Sequence, residues 1–152
     1  MNIEDQAALF SIFHDGSLLD LASVPDTQDI SFVIECKYIV EMLIPGENKL
    51  YGLIKNCHYI FFEHWDLDKA ITDLYLINQY DLEIHDADVK RGYLNIICLI
   101  ESYRSSSGGT LYLKCDGIEL YDENRNKIAM DELKQAANLY WSNFKDQGNT
   151  SS

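Results

Sequence analysis

Basic residues are scarce in this chain. Lys and Arg number 12 against 25 Asp and Glu in 152 residues, a formal net charge of −13. A surface so short of cations repels phosphates, which argues against nucleic acid and an anionic membrane surface as partners. It leaves a basic protein surface, a cation or plain solubility to explain the charge. No stretch approaches the ~20 consecutive apolar residues of a membrane-spanning helix. The four cysteines, Cys36, Cys57, Cys98 and Cys115, are never closer than 17 residues. Without a C-x-x-C pair, thiolate zinc chemistry has no starting point. H-x-H, H-E-x-x-H and E-x-x-H are missing as well, so neither a metal nor a cofactor is expected. The pair Gly108-Gly109 lacks the Lys and Ser/Thr of a phosphate loop, and the serines at 105–107 lack a G-x-S-x-G setting.

What is present suits one folded domain. Apolar residues make up 47% of the chain and aromatic ones 12%, enough to bury a core despite the charge. Ten tyrosines and six phenylalanines against two prolines favour strands. The cysteines fall in or beside apolar runs, which reads as buried free thiols in a reducing compartment. The acidic opening, Met1 to Asp5, is unlike a secretory signal, and the expected location is the cytoplasm.

Helical spacing of Ile3, Ala7 and Phe10, with Asn2 as cap, predicts a short helix over 3–13. A strand over 17–24 and a turn at Pro25-Asp26-Thr27-Gln28 follow. Ile30, Phe32, Ile34 and Cys36 alternate with polar residues and predict a strand, continued through a bulge over 38–44. After a turn at Pro45-Gly46, the run 49–64 reads as strand buried on both faces. Residues 66–78 are ambiguous, with a short helix capped by Asp66 or Asp68 as one reading. Further strands are expected at 80–86, 92–103 and 110–121. Residues 105–109 read as a flexible hairpin connection between the last two. A hairpin loop over 122–126 joins 118–121 to 127–130. Leu133, Ala137, Tyr140 and Phe144, widened by Ala136 and Trp141, predict a helix over 131–145. The expectation is a single α+β domain over 1–147 with a flexible tail at 148–152. Six to eight antiparallel strands would form a curved or sandwich-like sheet packed by the C-terminal helix, with the N-terminal helix at one end.

Two groups of residues are candidates for function. His14-Asp15 and His85-Asp86 each place a carboxylate beside an imidazole, the pairing that tunes a general base, although sequence neighbours seldom face each other. His58 and His64, on one strand, are too far apart to share a metal. Cys57 and His58 point to opposite faces of a strand, which argues against a nucleophile–base dyad. Glu63-His64-Trp65-Asp66-Leu67-Asp68 sets an aromatic among carboxylates. Trp65 there is a candidate partner anchor, with Glu63, Asp66 and Asp68 steering a basic surface towards it. Residues 1–80 hold 13 acids and 4 bases, so most of the negative field belongs to the first half.

The opening Phe13-His14-Asp15-Gly16 and the closing Ile118-Glu119-Leu120-Tyr121-Asp122, Lys127-Ile128-Ala129-Met130-Asp131-Glu132-Leu133 and Tyr140-Trp141 together resemble small bacterial β-rich domains. Those domains open with a Phe-His-Asp stretch, and some are immunity proteins of toxin systems. The resemblance implies a non-enzymatic acidic module that neutralises a basic toxin. A small enzyme built on a His/Asp site and a structural or ligand-binding domain without catalysis stand beside it.

Overall fold

The computed structural model describes residues 1–100 and 107–150, with side chains up to residue 143. The chain runs α1 (Ile3–Ile12), β1 (Ser17–Ser23), β2 (Ile30–Glu35), α2 (Lys37–Leu43), β3 (Lys49–Lys55), β4 (Tyr59–His64) and β5 (Ala70–Ile71). It continues with α3 (Leu74–Asn78), β6 (Leu82–Lys90), β7 (Tyr93–Ile100), β8 (Ser107–Lys114), β9 (Gly117–Tyr121), β10 (Lys127–Ile128) and α4 (Met130–Thr150). Among the described residues, ten strands form one antiparallel sheet in the order β10-β9-β3-β2-β1-β6-β7-β8-β4-β5, not closed into a barrel. The fold is α+β. The strands number ten rather than six to eight because two of them, β5 and β10, are only two residues long.

The order dictates the shape. Three residues join β3 to β4 and two join β8 to β9, yet in each case the strands lie six places apart in the sheet. Six flat inter-strand steps amount to about 29 Å. An extended chain spans about 14 Å across the first connection and about 10 Å across the second. The sheet must therefore curl until these two connections meet, and hydrogen bonds fasten them. The His58 amide donates to the Lys114 carbonyl at 2.7 Å and the Asp116 amide to the Lys55 carbonyl at 2.9 Å. Asp116 accepts from Asn56 Nδ2 at 2.9 Å and His58 Nε2 at 3.0 Å. Asp29 accepts from Lys55 Nζ at 2.7 Å and the Asn56 amide at 2.9 Å.

The curled sheet encloses α1 rather than leaving it at one end. Leu9, Phe10 and Phe13 are buried, and Phe10 meets Phe32 of β2 at 6.0 Å between ring centres. The helix also packs on β6, β7 and β9. Asn2 caps it, its Oδ1 accepting from the Asp5 amide. The inner face carries Phe32, Ile34, Leu50, Ile54, Ile84, Leu94, Ile96 and Leu111, all buried. α4 seats on α2 and α1, with Leu133, Ala136 and Ala137 buried. Trp141 does not widen that stripe: it is 47% exposed and stands edge-on to Tyr140, which itself stacks on Tyr38. The side chain of Phe144 and residues 151–152 lie outside the described part, and α4 runs through 148–150.

Four local expectations need correction. Of residues 38–44, all but Ile44 belong to a helix, α2, in which Ile39 and Val40 face inward together while Tyr38 and Met42 face out, a helical division that alternation cannot make. The run 49–64 is two strands, broken at Asn56, whose φ is +46°. In 66–78 the cap is Asp73, whose side chain accepts from the Tyr75 amide, not Asp66 or Asp68. Gly108 and Gly109 are not loop but β8, opposite Leu99 and Cys98; residues 105–106 of the expected connection lie outside the described part. The glycines are there for room. A Cβ on Gly109 would lie 2.4 Å from the Phe62 ring, and one on Gly108 2.7 Å from the Trp65 ring.

Gly109→Ala should destabilise the fold by about 1–3 kcal/mol, the usual cost of overpacking, since the Glu63 carbonyl on the other side cannot retreat. Denaturant unfolding measures it, and a midpoint equal to that of the native protein would show the contact to be slack.

The seam gives a pH dependence. The carboxyl of Asp29 is held below its ordinary 3.8 by its hydrogen bond from Lys55, then by the Asn56 amide; that of Asp116 is lowered by His58, then by Asn56. A depressed folded-state pKa contributes stability that is complete above the ordinary value and lost as pH falls through the folded one. Asp29→Asn should therefore lower Tm at pH 7, and the difference should narrow as pH drops below 3.8. A difference that stays constant down to acid pH would mean that the charge is not what holds the seam.

Candidate functional site

The two His-Asp pairs do come together. Asp15, at φ +69°, turns the chain from α1 into β1, and its amide donates to the Ile84 carbonyl at 2.9 Å. His85 stands at a bulge in β6, between Ile84 and Asp86. The His14 and His85 rings are 5.5 Å apart. His14 Nδ1 hydrogen-bonds the His85 carbonyl, and Nε2 lies 3.4 Å from Asp15 Oδ1, so these neighbours do face each other. Asp86 is used elsewhere: its Oδ1 accepts from the Ala87 amide and the Ser11 hydroxyl. Neither histidine therefore has the arrangement of a base held by a second carboxylate and aimed at a nucleophile. Among the described residues, no group of three His, Cys, Asp or Glu is placed to hold a metal ion.

His64 sits apart from that cluster and is buried beside Phe62 and Tyr80. Its Nδ1 accepts the Asp66 amide proton at 3.0 Å, which fixes the proton on Nε2. Nε2 faces the Ser107 hydroxyl at 3.5 Å, and that hydroxyl donates to Asp66 Oδ2 at 2.8 Å. The three residue types match a catalytic triad, but the polarity is reversed. The imidazole presents N–H to the serine, and the serine proton goes to the carboxylate. The cluster ties the end of β4 to β8.

Trp65 and its acidic neighbours occupy the turn after β4. Trp65 is 55% exposed, with its ring lying over Gly108. Glu63 and Asp68 are exposed, whereas Asp66 is partly engaged by Ser107.

A larger feature lies on the outer face of β1, β2, β3 and β9. A groove of about 920 Å³ is lined by Ala22, Val33, Tyr51, Leu53 and Tyr121 and rimmed by Asp20, Asp122, Glu123 and Arg125. The register explains it: Val33 pairs with Tyr51 and Tyr51 with Tyr121, while Ser31 pairs with Leu53, so apolar side chains meet at positions facing away from the core. At the rim the carboxyl of Glu47 is raised above the ordinary range by its hydrogen bond to Glu123, then by the charge of Glu123. Two carboxylates this close disfavour each other's charge. Sequence reading missed this groove. Its signal was the apolar pair Tyr51 and Leu53 at alternate positions to the buried Leu50 and Ile54, within a run taken as buried on both faces.

The cysteines are free. Cys36 and Cys98 are buried; Cys57 and Cys115 are half-buried in the two connections of the seam. Burial pushes the Cys57 thiol up to about 11, helped by the neighbouring Cys115 thiol, and burial likewise raises Cys115 to about 11. Burial alone takes Cys98 to about 12. None of these three has the lowered pKa of a nucleophile. No family model, curated protein or solved structure matches the chain.

The thiols should be nearly inert at pH 8 in the native protein, and alkylation should accelerate only as pH approaches 11. Mass spectrometry after iodoacetamide treatment reports it, with the unfolded chain taking four labels. A native thiol labelled as fast as in denaturant would contradict the burial assigned to it.

Proposed function

We propose that the protein is a non-enzymatic acidic module that binds a basic protein through the groove over β1, β2, β3 and β9. Its proposed setting is of the immunity type: holding a basic toxin in an inactive complex in the cytoplasm. The observation that carries this reading is the groove itself. It combines an apolar floor of Val33, Tyr51, Leu53 and Tyr121 with an acidic rim of Asp20, Asp122 and Glu123. Soluble surfaces seldom leave such a floor uncovered without a partner for it. Glu47 adds a further acid to that rim, its carboxyl raised by its hydrogen bond to Glu123 and then by the charge of Glu123. A lysine or arginine of a partner would be attracted to both. The net charge of −13 would speed the approach of a basic partner. Trp65, with Glu63 and Asp68, is a second exposed aromatic among acids, on the β4–β5 edge, and is proposed as an accessory contact.

The products of genes adjacent to this one are the first partners to test, by co-expression, growth rescue and surface plasmon resonance. The on-rate should fall by roughly tenfold or more from low to high salt, as steered association does. Glu47→Gln with Glu123→Gln should flatten that dependence while raising Tm at neutral pH. Tyr51→Ala should raise the off-rate by roughly fivefold or more, as loss of a central aromatic contact does. A neighbour-encoded protein that binds with an on-rate indifferent to salt and to these substitutions would remove the groove from the interface.

A further inference from the structure

The other half of the outer face has different chemistry. One row across the strands runs Phe61 of β4, Tyr112 of β8, Asn95 of β7 and Asp88 of β6. Phe61 and Tyr112 stack at 4.6 Å between ring centres, with planes 18° apart. Tyr93 stands edge-on to Phe61. The stack ends at Asn95. That residue is 5% exposed, yet its Oδ1 is sealed from water with no hydrogen-bond partner among the described residues, and Asp88 Oδ1 beside it is in the same condition. Two neighbouring acceptors without a donor are a standing cost in the empty protein. Over Asn95 lies a depression of about 420 Å³, bounded by Phe61, Tyr93, Asn95 and Tyr112, with Lys90, Arg91 and Glu63 at its rim. Lys90 and Arg91 lead into the β6–β7 hairpin, whose turn places Arg91 and Gly92 at φ +55° and +78°. Lys114 lies 5.8 Å over the Tyr93 ring. On a chain of net −13 these cations are gathered in one place, Lys90 also lying 3.8 Å from Asp88 Oδ2.

Each part specifies a feature of the occupant. The stack calls for a flat ring, which would continue it one strand spacing further, above Asn95. The orphan acceptor of Asn95 calls for an N–H donor on the edge of that ring. The rim calls for negative charge within reach of Lys90 and Arg91. A lone cation from a partner protein meets the second requirement but is opposed by Lys90, Arg91 and Lys114. We propose that this depression binds a free nucleotide, its base against Tyr112 with an amino edge on Asn95 and its phosphate at Lys90 and Arg91. An asparagine amide is suited to this, since it pairs with an adenine edge through one donor and one acceptor. A nucleic-acid strand offers the same base and phosphate, but the field of the whole chain opposes a run of phosphates far more than a single one. The site is separate from the acidic groove and does not rest on the partner assigned there.

Calorimetric titration of the full chain with AMP tests the proposal, with ribose 5-phosphate and a short single-stranded oligonucleotide in parallel. AMP should bind with a Kd of about 1 mM or tighter, and ribose 5-phosphate should not bind measurably. Asn95→Leu should weaken AMP by roughly tenfold or more, and should raise the Tm of the unliganded protein because it removes an unpaired acceptor. Lys90→Ala with Arg91→Ala, both at exposed positions, should weaken AMP and leave Tm nearly unchanged. Absence of any AMP binding, or unaltered binding by Asn95→Leu, would overturn the site. An oligonucleotide bound more tightly than AMP would overturn the assignment to a free nucleotide.

Discussion

Two connections too short for the distance they must cover govern this structure. With β3 and β4, and again β8 and β9, six places apart in the sheet, the curl is not a matter of side-chain preference but of chain length. Everything else is arranged around it. The concave side acquires a volume that one helix fills, which is why α1 can bury Leu9, Phe10 and Phe13 on several sides. Where the connections meet, backbone bonds alone would leave polar groups exposed to competition from water. Asp116, in the β8–β9 connection, and Asp29, just before β2, complete the joint by accepting from Asn56 of the β3–β4 connection, with His58 adding to Asp116 and Lys55 to Asp29. These few charges act on the geometry of the whole sheet, whereas most of the other acids are solvated.

The curl also separates two outer surfaces. The half built from β1, β2, β3 and β9 presents apolar side chains with carboxylates around them. The half built from β4, β6, β7 and β8 presents stacked rings, a buried amide and cations. A single figure for net charge conceals this division. Averaged over the chain, the field disfavours anions; around the β6–β7 turn, Lys90 and Arg91, with Lys114 of β8 nearby, stand among two acids, Asp88 and Glu63. Charge near a site therefore decides which small ligand is admitted, while charge over the whole chain decides which large one approaches.

The sequence was legible where one periodicity dominated. α1, β2, the β9–β10 hairpin and α4 all follow from spacing, caps or turn residues that act locally. The fold class followed from the same signals. It failed where two demands overlapped. Residues 38–44 are apolar enough for a strand, yet up to Leu43 they form a helix that packs against α4. Gly108-Gly109 looked like a flexible loop because glycine is permissive in a turn, but here it is required in a strand for its missing Cβ, and the rings that need the space come from β4. The candidate site was legible only in pieces. His14 and His85 meet although 71 residues separate them, a fact of topology that no spacing encodes. The groove was hidden because an apolar residue on the outer face is indistinguishable, in sequence, from one in the core.

The sheet order has a last consequence, at its ends. The outermost strands, β10 and β5, are two residues long. An open sheet of ten strands would ordinarily expose two rows of unpaired amides and carbonyls, the template on which fibrils and strand-exchanged dimers grow. Edges this short give an incoming strand almost nothing to register against. Backbone pairing is thereby hindered at β5 and β10 themselves. Contact at those two edges has to be made through side chains, whose identity can be specified, and not through the peptide groups that every protein shares.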